Sequence, residues 1–213
     1  MSMIKRQLST VLILILTCLT PLCAVSSPET ISQSPKNSPD INNGKKIYAL
    51  CANCHLDNGW GKADGSFPVI AGQHPDVMLK QIDDIRSRNR ENPTMYPFSD
   101  PRTIGGEQAL NDVIAYIASM KPLATPGRGD GQQLELGKKI YQQRCQQCHG
   151  AQAQGSNEAL LPKLKGQHYA YLLRQLIWIR DGYRKNSNPL MVNQLAPLKD
   201  KELDAVADYL SRL

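Results

Sequence analysis

The sequence predicts an all-α protein of two tandem helical domains, each wrapped around one covalently held group. Three observations predict it. The block Gly44-Lys45-Lys46-Ile47-Tyr48 returns as Gly137-Lys138-Lys139-Ile140-Tyr141, and Cys51-Ala52-Asn53-Cys54-His55 returns as Cys145-Gln146-Gln147-Cys148-His149. Apolar residues recur at helical spacing in matching places of both halves, and no stretch alternates as a strand would. The 213 residues divide into two units of about 90, each small for a core of its own, so a bound group supplying apolar surface fits the size.

Residues 1–26 read as a secretory signal. Lys5 and Arg6 form its cationic start, an apolar stretch runs from Val11 to about Leu22, and Ala24-Val25-Ser26 offers a small-residue cleavage site. The stretch is short and interrupted by threonines, against the ~20 residues of a membrane span. Retention as an uncleaved anchor is the alternative. Neither Cys18 nor Cys23 follows the small residues of a lipoprotein processing site, which argues against a lipid anchor. Residues 27–41 are Ser/Pro-rich and predict a flexible segment.

The N-terminal domain is then expected over 42–120, a Pro/Gly-rich linker over 121–131, and the C-terminal domain over 132–213. Each domain opens on its Gly-Lys-Lys-Ile-Tyr helix. A middle helix follows, with Met78, Ile82 and Ile85 on one face, matched by Leu172, Leu176 and Ile179. A closing helix presents Val113, Tyr116 or Ile117, and Met120, matched by Val206, Tyr209 or Leu210, and Leu213. A glycine inside a helix costs about 1 kcal/mol against alanine unless close approach offsets it. Gly44 and Gly137 therefore predict a crossing with the closing helix, against Tyr116 and Tyr209, with Tyr48 and Tyr141 beside.

The pentapeptides carry the chemistry. C-x-x-C-H is the spacing of c-type haem attachment: two cysteines on one helical turn add to the haem vinyl groups, and the histidine ligates the iron from below. Cys51, Cys54, Cys145 and Cys148 are the expected attachment sites, and His55 and His149 the expected proximal ligands. Structural zinc also uses Cys and His, but it draws four ligands from two separated pairs. Past residue 26 only these four cysteines remain, so none is left for a disulfide. A ligating histidine normally donates its other ring N–H to a carbonyl, and Pro68 and Pro162 are placed to supply one, or serve simply as loop-forming prolines.

The second axial position decides between electron transfer and ligand chemistry. Met78 aligns with Leu172 and Met120 with Leu213, so both read as core. Met95 and Met191 alone align with each other, each closely after an Asn-Pro, and are the expected distal ligands. His74 and His168 also align, as structural residues or neighbours of the haem edge, with bis-histidine ligation as the competing assignment. Trp178 replaces Asp84 of the first half, which suggests a position covered at the domain interface or else a partly exposed tryptophan.

The formal charge of +6 is uneven. Residues 27–124 carry 10 Lys+Arg against 11 Asp+Glu and residues 125–213 carry 13 against 8, so −1 and +5, with Lys5 and Arg6 completing the total. The asymmetry is either an ordinary solvated surface or a device for docking different partners on the two halves. No nucleic-acid module is present.

Taken together, these residues resemble class I cytochrome c: a glycine and an aromatic on the opening helix, C-x-x-C-H, a Pro-x-(Leu/Ile)-x-Gly loop, a loop methionine, and an aromatic on the closing helix. The duplication and the Gly-Gln-His turns are similar to dihaem cytochromes of the c4 type, from about Gly44 to Leu213. The resemblance implies two covalent haem c groups, axial pairs His55/Met95 and His149/Met191, and haems close to the domain interface. It also implies a periplasmic one-electron carrier, not an enzyme, running between a membrane quinol-oxidising complex and a terminal oxidase. An electron-transfer subunit of a larger dehydrogenase is the second expectation, and a dihaem peroxidase or oxidoreductase the third. Partners would be membrane respiratory complexes or other redox proteins, with peripheral membrane association as a further expectation. The Ser/Pro-rich N-terminus and near-neutral first domain depart from the family pattern.

Overall fold

The computed structural model describes residues 38–213. The signal expected over 1–26 and most of the segment expected to be flexible over 27–41 lie outside them. The described residues fold as helices joined by turns. Ser156 and Leu161 form a single isolated bridge, and no strand forms among the described residues. No helix among them is long and apolar enough to cross a membrane.

The first half runs α1 Ile41–Ile47, α2 Ala49–His55, α3 Pro75–Arg86, a 3₁₀ turn Pro93–Met95, α4 Tyr96–Ser99, α5 Pro101–Ile104 and α6 Glu107–Ser119. The second runs α7 Leu134–Ile140, a π turn Tyr141–Cys145, α8 Gln146–His149, α9 Tyr169–Arg180, α10 Pro189–Leu195 and α11 Asp200–Leu210. Asp40 starts α1 by accepting the N–H groups of Asn42 at 2.8 Å and Asn43 at 3.1 Å. Its own N–H is held by Asp112 at 2.9 Å, so the last residues of 27–41 are taken into the domain. Proline opens α3 and α10, where a missing N–H costs nothing.

The two expected crossings form. A Cβ on Gly44 would lie 2.0 Å from the Asp112 carbonyl oxygen, and one on Gly137 would lie 2.1 Å from that of Ala205, so each opening helix touches backbone of its closing helix. The ring pairs Tyr48–Tyr116 and Tyr141–Tyr209 stand 5.5 and 5.7 Å apart beside the crossings. Each half has its own apolar cluster, and the expected stripes supply both: Met78, Val113 and Ile117 in one, Leu172, Leu176 and Val206 in the other. Met120 and Leu213 pack at their margins.

The halves differ in one structural count. Gly44 and Gly137 are 93 positions apart, whereas Cys51 and Cys145 are 94 apart. The second half therefore carries one extra residue between its tyrosine and first cysteine, and the π turn absorbs it.

Candidate haem sites

Each haem motif lies where its opening helix meets a loop. α2 carries Cys51, Cys54 and His55 on two turns. Cys145 ends the π turn, and Cys148 and His149 lie on α8. Both histidines are buried, and each ring meets the expected proline carbonyl. His55 Nδ1 lies 3.0 Å from Pro68 O, and His149 Nδ1 lies 3.4 Å from Pro162 O. A carbonyl only accepts, so Nδ1 carries the proton and Nε2 keeps its lone pair. Burial lowers both imidazole pKa values, with the proline carbonyls opposing it, so the neutral rings are favoured. That is the protonation state a metal-ligating histidine needs.

Two glycines that the sequence reading passed over make this contact possible. The N–H groups of Gly61 and Gly155 donate to the carbonyls of His55 at 3.0 Å and His149 at 2.9 Å. Both have positive φ, and a Cβ there would sit 2.5 Å from Pro68 O or 2.6 Å from Pro162 O. The signal was legible: a glycine six residues after each histidine, in both copies.

No disulfide joins Cys51, Cys54, Cys145 and Cys148, so all four sulfur atoms are left for thioether attachment. Among the described residues no three His, Cys, Asp or Glu side chains gather as a metal cage, so the zinc alternative finds no ligand set. Met191 lies in the first turn of α10 and packs on the second core with Cys145 and Leu164. Met95 ends the 3₁₀ turn, half-buried, and lies outside the first core cluster that Cys51 joins.

His74 and His168 turn away from their own motifs to the opposite domain. His168 Nδ1 accepts the Gly127 N–H at 2.9 Å, and its Nε2 donates to Trp60 O at 2.7 Å. Both ring nitrogens of His168 are thereby engaged. His74 Nε2 donates to Gln154 O at 2.8 Å, the position matching Trp60. Beside them Gln73 holds both backbone groups of Lys163, each at 2.9 Å, and Gln167 holds both of Val69 at the same distance. Each amide side chain pairs with the other domain's loop as a neighbouring strand would. The two halves thus meet across an approximate two-fold seam, and these residues are structural.

Farther along the seam the charge is unbalanced. Arg90 donates to Tyr171 Oη at 2.9 Å and to Gln81. Its counterpart Arg184 donates to Gln175 Oε1 at 2.9 Å and to Gln81 Oε1 at 2.8 Å. Neither guanidinium touches a carboxylate. Burial, then the like charge of Arg90, lowers Arg184 to about 10. Burial would raise the Tyr171 phenol, but the surrounding arginines outweigh it and lower it. Arg174 Nε is buried with no partner. Such a seam fits a group that brings carboxylates, and a haem carries two propionates. Trp178 is not covered: it is 40% exposed, with the Arg174 guanidinium 5.3 Å from its ring.

Helical halves built round neutral, carbonyl-held histidines, with paired cysteines one turn away, define a class of covalent haem proteins. The cytochrome c family model matches residues 41–121 and again 134–213, and the chain belongs to that family. Within it, the chain is similar to cytochrome c4 of Azotobacter vinelandii, 31% identical over 80% of this chain and 87% of that protein. The crystal structure of reduced cytochrome c4 from Pseudomonas stutzeri superposes with a TM-score of 0.73 at 30% identity, covering 83% of this chain and all of that one. A thiosulfate dehydrogenase electron acceptor of Stutzerimonas stutzeri is 33% identical over 80% of this chain and 86% of its own length. The protein is accordingly a cytochrome c4-like electron carrier rather than an enzyme, with two covalent haem c groups, one per domain.

Proposed function

We propose that this protein is an exported one-electron carrier of the periplasm, passing electrons from a membrane quinol-oxidising complex to a terminal oxidase. In this reading residues 1–26 direct export, most of 27–41 tethers, and 42–120 and 132–213, with Asp40 and Ile41 taken into the first, are the two redox domains, joined by 121–131. Cys51 and Cys54 attach one haem and Cys145 and Cys148 the other, with axial pairs His55/Met95 and His149/Met191. When bound, each haem iron supplies reversible one-electron exchange.

The observation that carries the reading is the pair of buried, neutral histidines, each fixed in one tautomer by a proline carbonyl. Pro68 and Pro162 orient the rings and raise their donor strength. His74 and His168 are spent on the seam, which leaves the methionines as the remaining paired donors. Near-infrared spectra of the ferric protein test this. Both haems should show the weak charge-transfer band of methionine ligation, Met95→Leu and Met191→Leu should each remove half of it, and its absence from the unaltered protein rejects the axial assignment.

The relative described as an electron acceptor of thiosulfate dehydrogenase supports a second reading, in which the donor is a soluble or membrane-bound dehydrogenase. Rapid reduction by such an enzyme, with none by a quinol-oxidising complex, would favour it.

A further inference from the structure

A buried tyrosine usually finds a partner for its hydroxyl, and where that partner lies is informative. Tyr48 and Tyr141 are 4% and 0% exposed, and each sends its hydroxyl past the haem motif to the residue after the histidine. Tyr48 Oη donates to Leu56 O at 2.6 Å, and Tyr141 Oη donates to Gly150 O at 2.5 Å. Each carbonyl also accepts the N–H three residues on, from Gly59 at 3.0 Å and from Ala153 at 3.1 Å, so both of its lone pairs are used. The rings packed against these tyrosines have no such duty. Among the described residues the hydroxyls of Tyr116 and Tyr209 meet no hydrogen-bond partner.

The turn closed in this way carries the proline loop. Gly59 and Ala153 both stand at positive φ and aim their carbonyls at that loop. Gly59 O accepts from Ile70 N at 2.8 Å and Ala71 N at 3.1 Å, and Ala153 O accepts from Leu164 N at 2.9 Å and Lys165 N at 3.1 Å. Ile70 and Leu164 each lie two residues after the proline whose carbonyl meets the histidine ring. In each half a chain of hydrogen bonds therefore runs from the tyrosine hydroxyl, through the turn and the loop, to histidine Nδ1. It stays within its own half. The middle residues differ between the halves, whereas the tyrosine, the proline and the histidine are the same.

We propose that Tyr48 and Tyr141 are positioning residues for the proximal histidines. Each hydroxyl fixes the turn that aims the Pro68 or Pro162 carbonyl, and so sets how strongly His55 or His149 donates to its iron. Neither tyrosine touches a reacting atom. A carbonyl that drifts from the Nδ1–H leaves the imidazole a weaker donor, which favours the ferrous state. The inference rests on the reading of His55 and His149 as proximal ligands. That reading fails separately, if the unaltered holoprotein carries fewer than two haems or shows no histidine-ligated spectrum.

The test is a spectroscopic redox titration of the full-length holoprotein, of Tyr48→Phe and of Tyr141→Phe, which keep the ring and remove only the hydroxyl. Each variant should keep two haems and raise the reduction potential of one centre. The rise should be on the order of threefold in the ferrous-to-ferric ratio of that centre at fixed solution potential. The wave that moves in one variant should be the wave that stays in the other, which assigns both. Tyr116→Phe and Tyr209→Phe, which trim the unbonded hydroxyls of the neighbouring rings, should move neither. Unmoved or lowered potentials overturn the proposal, whatever the melting temperature does, and so does an equal shift from the neighbouring-ring variants. If one variant fails to load its haem, the other decides. Loss of haem from both overturns the proposal too, because the hydroxyl would then serve attachment and not ligand strength.

Discussion

The first half joins its opening tyrosine to its first cysteine in three steps and breaks the helix at Tyr48; the second takes four steps and keeps the chain wound as a π turn. Both deliver the cysteines and histidine to the same loop, with Tyr48 and Tyr141 bonding the carbonyls of Leu56 at 2.6 Å and Gly150 at 2.5 Å. The residue after each histidine shows the same independence. It is Leu56 with φ 65° in one half and Gly150 with φ 83° in the other. Duplicated domains preserve the backbone path and the end positions of the site, and leave the means of reaching them free.

The largest test of that lesson removes one residue from each connection. Deleting the exposed Gln143 should convert the π turn to the shorter connection and leave two haems attached. Deleting Leu50 should turn the following motif by about 100° away from its core and lose one haem. Haem counting by mass spectrometry separates the outcomes, and equal sensitivity of both halves would refute the comparison.

Next in size are the crossed glutamines. Gln167→Ala strands two buried groups of Val69, and Gln73→Ala strands two half-buried groups of Lys163. Each should cost roughly 1–3 kcal/mol, Gln167→Ala more, with haem spectra unchanged. Chemical denaturation with limited proteolysis of the linker would measure it, and altered axial spectra would contradict a structural role.

The backbone strain at Leu56 predicts a smaller effect of opposite sign. A non-glycine residue at φ 65°, ψ 162° stores on the order of 1–3 kcal/mol. Leu56→Gly should stabilise the first domain by about 1 kcal/mol, and Gly150→Leu should destabilise the second by at least as much. A fall in melting temperature for Leu56→Gly would mean that its half-exposed side chain matters more than its backbone.

The smallest effect concerns pH. Burial pushes the Asp112 carboxyl up, but hydrogen bonds from Asn43, the Asp40 N–H and Gln108 outweigh it and hold the pKa below the ordinary value. Asp208 is likewise lowered, against its burial, by Arg212 and the N–H groups of Gly131 and Gly129. A depressed folded pKa means that each contribution is fully present above the unfolded value of about 3.9 and is lost as pH falls through the folded one. Asp112→Asn and Asp208→Asn should each flatten the acid limb of stability against pH. Asp112 anchors the start of the first domain, whereas Asp208 holds the linker, so only Asp208→Asn should also loosen residues 129–131.

Much of the site was legible because its information is local. Cysteine spacing, the following histidine, helical stripes and the costly glycines of α1 and α7 are set by neighbours within a turn or two. Pro68 and Pro162 could be read because each lies thirteen residues after its histidine, in both copies. Trp178 could not, since exposure depends on what the opposite domain leaves uncovered.

The chain itself therefore determined the helical class, the duplication, the four attachment cysteines, the two buried histidines and the faces that form the cores. Only the tertiary structure decided that His74 and His168 serve the seam and that Arg90 and Arg184 share glutamine partners across it. Those pairings join residues some 80 to 110 positions apart. No periodicity or motif encodes such a contact; it exists once two separately folded surfaces meet and their buried polar groups must find partners.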